Sequence, residues 1–307
     1  MNALNDPIYK DENKARAHLE ALRWPNGPIC PHCGTLNNAV RLAGKAHRPG
    51  LLKCKEKACR KQFSVTVGTV FERSKIALHI WLAATYLMAS SKKGISSHQI
   101  HRTLGVTYKT AWFMTHRIRE AMREVATDQL GAEGTSGIVE TDEVYIGRAR
   151  GAGKGHYHDK KQKVLALVER KGRVRAFHLP EITADTVGPV LARNIDKNAR
   201  FMTDGAMLYD KLGEGFKSHE TVNHYLGEYV RGDVTTNTVE GFFGILKRGL
   251  RGVYQHVSAD HLSRYIDEFA FRYNNRVALD VNDEQRAKIA LEGISGKRLT
   301  YRRPDAH

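Results

Sequence analysis

The sequence predicts an α/β chain in which a mixed sheet flanked by helices follows two small N-terminal modules. Three observations carry that reading. Residues 137–147 form a β-branched and aromatic run bounded by glycines, the pattern of a strand. Residues 200–205 form a second short apolar run that, like the first, passes through Thr-Asp. All four cysteines stand in two close pairs between Cys30 and Cys59, ahead of a helix, glycine-containing turn, helix pattern.

The first strand is the organising element because it carries acids where a core strand should not. Glu140, Asp142 and Glu143 all lie on it, and buried unpaired carboxylates are costly unless a cation or hydrogen bonds compensate them. Two strand-borne aspartates, Asp142 and Asp204, are what a divalent-metal site needs. Mg²⁺ takes a few carboxylates and leaves positions for phosphate and water. The period of two puts Glu140 on the face of Asp142 and turns Glu143 the other way, so both remain rivals for the first acid.

Composition narrows the partner. The chain has 307 residues and a formal charge of +16, with a sequence pI of about 9.7, which points to a polyanion. A membrane surface is the other anionic partner, but no apolar run approaches the ~20 residues of a spanning helix. No signal-peptide core follows the polar start, which predicts a cytoplasmic, nucleoid-associated protein.

Taken in order, residues 11–23 read as a short helix with Ala15, Leu19 and Leu22 at helical spacing, ended by Pro25, Gly27 and Pro28. Cys30, Cys33, Cys54 and Cys59 then give two tight-turn pairs separated by a hairpin-length insert. This predicts a zinc ribbon holding one structural Zn²⁺. His32 and His47 are possible but unneeded ligands. Residues 63–71 alternate like a strand closing the ribbon. Residues 76–88 are apolar and helical. Ser96 or Ser97 caps a helix running to Leu104, Gly105-Val106 makes a turn, and Thr107 caps a helix over 108–123. In helix-turn-helix geometry Tyr108, Lys109 and Trp112 face DNA, although Trp112 serves a core equally well.

Residues 131–137 read as a linker before the acidic strand. A loop dense in Arg, Lys, His and Gly follows over 148–163, as a polar hairpin tip or a phosphate clamp. Strands over 164–168 and 174–179, joined at Lys171-Gly172, complete an antiparallel meander. A helix over 183–195, the second acidic strand, a helix through Tyr209 and Leu212, and a short strand over 219–222 follow. Thr236 or Asn237 then caps a helix with Val239, Phe242, Phe243 and Leu246 as its buried stripe. Glu240 in its first turn is explained by the helix dipole alone or by metal binding. Asp233 precedes the cap in a loop with nothing to fix its direction. Leu262, Tyr265, Ile266, Phe269 and Tyr273 mark a last amphipathic helix, and a basic tail closes the chain.

This order resembles a bacterial insertion-sequence DDE transposase of the zinc-ribbon group with a ribonuclease H-like catalytic domain. The matching segments are Cys30 to Cys59, Glu140 to Gly147, Thr203 to Gly205, His224, Asn237 to Glu240, Lys247-Arg248, and residues 265–275. The resemblance implies segments 1–72 (N-terminal helix and ribbon), 73–130 (helix-turn-helix), 131–276 (catalytic domain) and 277–307 (basic tail). It implies that Asp142, Asp204 and Glu240 carry two Mg²⁺ or Mn²⁺ ions. Lys247 and Arg248 would then contact DNA, with Asn237 and His224 supporting. Thirty-five residues lie between Asp204 and Glu240, the spacing of that superfamily. The implied activity is cleavage and strand transfer of double-stranded DNA, at element ends and target, by a two-metal mechanism. A dimer or larger assembly is implied, since two ends are processed together. Two other readings of the same residues are a non-catalytic DNA-binding regulator and a nuclease or resolvase that cuts without joining.

Overall fold

A computed structural model describes residues 3–147 and 161–300. The basic loop over 148–160, with Arg148, Arg150, Lys154, His156, His158 and Lys160, lies outside the described residues. The chain divides into two compact units, Met1–Arg123 with Asn282–His307, and Glu124–Val281.

In the first unit Asp11 caps α1 (Glu12–Arg23), its carboxylate accepting the Lys14 N–H at 2.8 Å. The ribbon is a three-stranded antiparallel sheet of β1 (Ala39–Arg41), β2 (Leu52–Cys54) and β3 (Gln62–Phe63). The expected closing strand over 63–71 is shorter than its alternation suggests. Beyond Phe63 the chain turns repeatedly, and Thr69 makes only an isolated bridge, to Ser295. Next come α2 (Leu78–Ser90), α3 (Ser97–Leu104) and α4 (Tyr108–Met122). Ser96 and Thr107 supply the caps of α3 and α4, and Gly105 takes the left-handed φ of 66° that the turn requires. Residues 1–72 and 73–123 share one unit because α1 packs on α2, where Glu12 accepts the Leu78 N–H at 2.6 Å.

The second unit is built on five strands. β4 (Ile138–Ile146), β5 (Gln162–Glu169) and β6 (Val174–Leu179) form the antiparallel meander. After α5 (Ala184–Asn194), β7 (Arg200–Asp204) lies parallel to β4. After α6 (Leu208–Gly213), β8 (Ser218–Val222) lies parallel to β7. The order β6-β5-β4-β7-β8, with helices on both faces, is the ribonuclease H-like arrangement expected from the sequence. A short hairpin of β9 (Val230–Arg231) and β10 (Val234–Thr235) leads into α7 (Asn237–Gly249). A π-helical turn over Leu250–Tyr254 then precedes α8 (Ala259–Asn274).

The strands alternate between two cores. Val144, Val164, Ala166 and Val168 meet Val239, Phe243 and Leu246 of α7 and Ile266 and Phe269 of α8. Val139, Leu165, Leu167 and Phe201 meet Val187, Leu191 and Tyr209 on the other side. Central strands apolar on both faces are what burial between two helical layers demands.

The chain then returns to the first unit. The segment 277–307, expected as a tail, contains α9 (Asp283–Glu292), which packs on α2 and α4. Asn282 and Gln285 form its capping box, and Ala287, Ala290 and Leu291 are buried. No described helix is long and apolar enough to cross a membrane.

Candidate functional site

The three acids come together where β4, β7 and α7 meet. β4 pairs in parallel with β7 through Glu140 and Met202, and two residues further along each strand stand Asp142 and Asp204. Glu140 and Val144 both meet α7, so Asp142 between them looks the same way by the period of two. Phe201 enters the opposite core, which turns Asp204 to the α7 side. The first turn of α7 carries Glu240.

The electrostatic consequence falls on Asp142. Burial pushes the Asp142 carboxyl up to about 7, and the charges of Glu143, Asp204 and Glu240 add to the push. The Glu143 backbone N–H, donating to Asp142 Oδ1 at 2.7 Å, opposes it without cancelling it. Asp204 Oδ1 accepts the Ala206 N–H at 3.2 Å. Hard oxygen donors crowded by like charge fit Mg²⁺ or Mn²⁺. The carboxylates are set wider than the thiolates of the ribbon. Among the described residues only the cysteine group brings three or more ligand atoms within 4.8 Å of one another.

The two neighbouring acids have other duties. Glu140 is fully buried and is the cap of α7. Its Oε2 accepts the backbone N–H of Thr238 at 2.7 Å and of Val239 at 3.2 Å, and its Oε1 accepts the Thr238 hydroxyl at 2.7 Å. Arg170 neutralises it, with Nε at 2.9 Å and an Nη at 2.7 Å from Oε1. The same guanidinium donates to the carbonyls of Asp233 at 2.8 Å and Thr235 at 3.3 Å. Glu143 faces the other core, where it accepts the Tyr209 hydroxyl at 2.7 Å; burial raises its carboxyl.

The expected cap is therefore corrected. Thr236 occupies the cap position, but its side chain makes no capping bond. Its hydroxyl donates instead to Glu240 Oε1 at 3.0 Å. Asn237 is the first residue of the helix and is exposed; the backbone N–H groups it was expected to serve go to Glu140. Asp233 is also better fixed than its loop context implied, held by Arg200 at 2.7 Å. Arg200 in turn grips Glu220 at 2.9 Å. Arg170 and Arg200 were missed because each reads in sequence as a solvated charge. The legible hint was an acid two residues before Asp142 on the same face.

His224 stands beside Glu240, its Nε2 3.6 Å from Oε1 and 3.4 Å from Thr236 Oγ1, with its ring against Tyr229. Lys247 and Arg248 are exposed further along α7.

The ribbon gathers Cys30, Cys33, Cys54 and Cys59 so that their Sγ atoms all lie within 4.8 Å of one another. Cys30 to Cys59 is 3.8 Å and Cys33 to Cys54 is 3.7 Å. Four thiolates ~2.3 Å from a tetrahedral Zn²⁺ would stand about 3.8 Å apart, so the donor set and spacing fit a structural zinc. His32 turns instead to the Gln62 carbonyl, with 3.3 Å between them.

On the helix-turn-helix, Tyr108 and Lys109 are exposed at the start of α4, with Tyr108 stacked on His98 at 4.2 Å. Trp112 is half-buried and packs on His116 at 4.1 Å.

Residues 134–274 match the ISXO2-like transposase domain family, and residues 10–62 match a transposase zinc-ribbon domain. An uncharacterized protein in transposable element ISH50 of Halobacterium salinarum is similar, at 30% identity over 281 residues. The match covers 86% of this chain and 91% of that protein.

Proposed function

With the chain belonging to the ISXO2-like transposases, we propose that it cuts element ends and joins them to target DNA at Asp142, Asp204 and Glu240. The observation that carries this reading is the convergence of the three acids on one sheet face, with Asp142 pushed up to about 7 by burial and its neighbours' charge. A bound cation would compensate a carboxylate in that state, and among the described residues His224 stands beside Glu240.

Asp142, Asp204 and Glu240 would hold divalent ions there, and such ions would supply Lewis-acid polarisation and an activated nucleophile at neutral pH. The chain's own residues hold and orient. Asp142 and Asp204 are fixed on adjacent parallel strands, and Glu240 on a helix whose N-terminus is tied to the same sheet through Glu140. Thr236 and His224 restrain the Glu240 carboxylate. No serine, cysteine or tyrosine nucleophile is needed, since the attacking oxygen comes from water or a DNA 3′-hydroxyl.

Exposed Lys247 and Arg248, with Tyr108 and Lys109 on α4, are assigned to DNA, and the overall +16 charge makes that binding salt-dependent. The working form is a dimer or larger assembly on two element ends, acting in the cytoplasm on the nucleoid. The test is cleavage of a duplex carrying the element end, with and without Mg²⁺. Joined products separate a transposase from a nuclease, and failure to cut would leave a DNA-binding regulator.

A further inference from the structure

Asp142 and Asp204 stand where their two strands have parted. The parallel ladder between β4 and β7 runs over Ile138, Val139 and Glu140 and ends at the pair Glu140–Met202. Past that rung β4 stays paired with β5, out to Ile146, and β7 stays paired with β8, out to Asp204. The sheet therefore ties each aspartate to an outer neighbour and not to the other aspartate. A metal site needs its ligands held rigidly with respect to one another, so another device must set their spacing.

A chain of four hydrogen bonds crosses the gap. Asp204 Oδ1 accepts the Ala206 N–H at 3.2 Å. The Ala206 carbonyl accepts the Tyr209 N–H at 3.0 Å. The Tyr209 hydroxyl donates to Glu143 Oε2 at 2.7 Å. The Glu143 N–H donates to Asp142 Oδ1 at 2.7 Å. Three of these bonds lie within one segment, either 142–143 or 204–209. Only the bond from Tyr209 to Glu143 passes from one side to the other.

That crossing bond is firmly mounted. Tyr209 is fully buried, with its ring edge-on to Phe201 of β7 at 6.1 Å. Glu143 is held from β5 by the pairing with Leu165. Burial and the charge of Glu143 raise the Tyr209 hydroxyl well above its ordinary range, so it stays a donor. Phenylalanine at this position would fill the same core without burying a hydroxyl that needs a partner. Packing alone therefore does not account for the tyrosine.

We propose that the Tyr209–Glu143 bond sets the spacing of Asp142 and Asp204, which makes both residues positioning residues for the ions that the aspartates would hold. Glu143 acts through its grip on Tyr209 and is not itself a ligand. The proposal rests on the carboxylate site binding divalent ions.

The test measures Mn²⁺ binding to the full-length protein at pH 8 by electron paramagnetic resonance, which needs no DNA and no cutting. Loss of an outer hydrogen-bond partner of a metal ligand costs about 10–100-fold in metal affinity. Tyr209→Phe should weaken Mn²⁺ binding by at least about tenfold, with zinc content and circular dichroism unchanged. Glu143→Ala should weaken it as much. Glu143→Gln keeps an oxygen for the hydroxyl and should restore most of the affinity. Tyr209→Phe added to Glu143→Ala should cause no further loss, since the two share one bond. Unchanged binding in Tyr209→Phe would overturn the proposal. So would Glu143→Gln as weak as Glu143→Ala, which would make Glu143 a ligand, or a further loss in the double variant. If Glu143→Ala does not fold, Tyr209→Phe and Glu143→Gln decide between them. Wild-type protein that binds no Mn²⁺, or Asp142→Asn that binds it as well as the wild type, sinks the carboxylate site and this proposal with it. Wild-type binding that Asp142→Asn abolishes and Tyr209→Phe leaves alone sinks only the positioning role.

Discussion

The Glu140 carboxylate accepts the backbone N–H of Thr238 at 2.7 Å, so a strand residue, and not the residue preceding the helix, caps α7. That bond joins the strand of Asp142 to the helix of Glu240. Arg170 closes the joint by bonding Glu140 together with the carbonyls of Asp233 and Thr235. Breaking a buried ion pair by removing one partner costs about 3–5 kcal/mol. Arg170→Ala should therefore lower the stability of the second unit by about 3 kcal/mol in urea unfolding. Asn237→Ala should cost less than about 0.5 kcal/mol, as an exposed residue without a capping bond. A loss near 1 kcal/mol at Asn237, the usual worth of a side-chain cap, would return the capping role to that residue.

Asp142→Asn, Asp204→Asn and Glu240→Gln should each reduce strand cleavage to background while leaving DNA binding and the circular dichroism spectrum unchanged. Glu140→Gln should retain measurable cleavage with reduced stability, because its oxygens face helix N–H groups and Arg170. Near-normal cleavage by Glu240→Gln beside a dead, well-folded Glu140→Gln would exchange their roles.

Asp142 also sets a pH dependence. Its folded pKa of about 7 lies above the ordinary 3.8, so between those values the folded protein binds more protons than the unfolded one. The metal-free protein should therefore lose stability as pH rises from about 4 to 7 through this group. Added Mg²⁺ should stabilise it more at pH 8 than at pH 6, because the ion needs the ionised carboxylate. Thermal melts with and without Mg²⁺, in the wild type and Asp142→Asn, read this directly. An equal Mg²⁺ effect at both pH values, or one that persists in Asp142→Asn, would remove Asp142 from the ligands.

Zinc should copurify at one ion per chain. Cys33→Ser should lower that content and expose the ribbon over residues 28–63 to protease, because a small ribbon folds with its metal. The second unit has its own cores and should melt as before. Metal analysis finding no zinc in protein prepared without chelator would refute the site.

Much of this architecture is legible because its signals are local. Runs of β-branched, aromatic and apolar residues placed Asp142 and Asp204 on strands, glycine and serine or threonine punctuated the helix-turn-helix, and the cysteine spacing marked the ribbon. The role of Glu140 was not legible. A carboxylate two residues from Asp142 looks the same in sequence whether it binds metal or caps a helix. The deciding partners are Arg170, thirty residues away, and Thr238, ninety-eight away. Asp233 likewise appeared undirected because Arg200 reaches it from another strand.

The helix α9 was overlooked for a different reason. Its buried stripe is small, since Ala287, Ala290 and Leu291 stand among charged residues, and a weak stripe is easily read as tail. Yet the Asn282 and Gln285 capping box was present in the sequence. Beyond it Ile294 is buried, its carbonyl accepts the Val70 N–H at 3.1 Å, and Gly68 accepts the Gly296 N–H at 2.9 Å. Arg286 donates to the Ala89 carbonyl at the end of α2 at 3.2 Å. Burying Leu291 and Ile294 alone contributes on the order of 4 kcal/mol. A chain stopped after Val281 should therefore melt its first unit at a distinctly lower temperature while the second unit's transition stays in place. Calorimetry of the full and shortened chains checks this. An unchanged first transition would mean that the C-terminal segment is the dispensable tail its composition suggests.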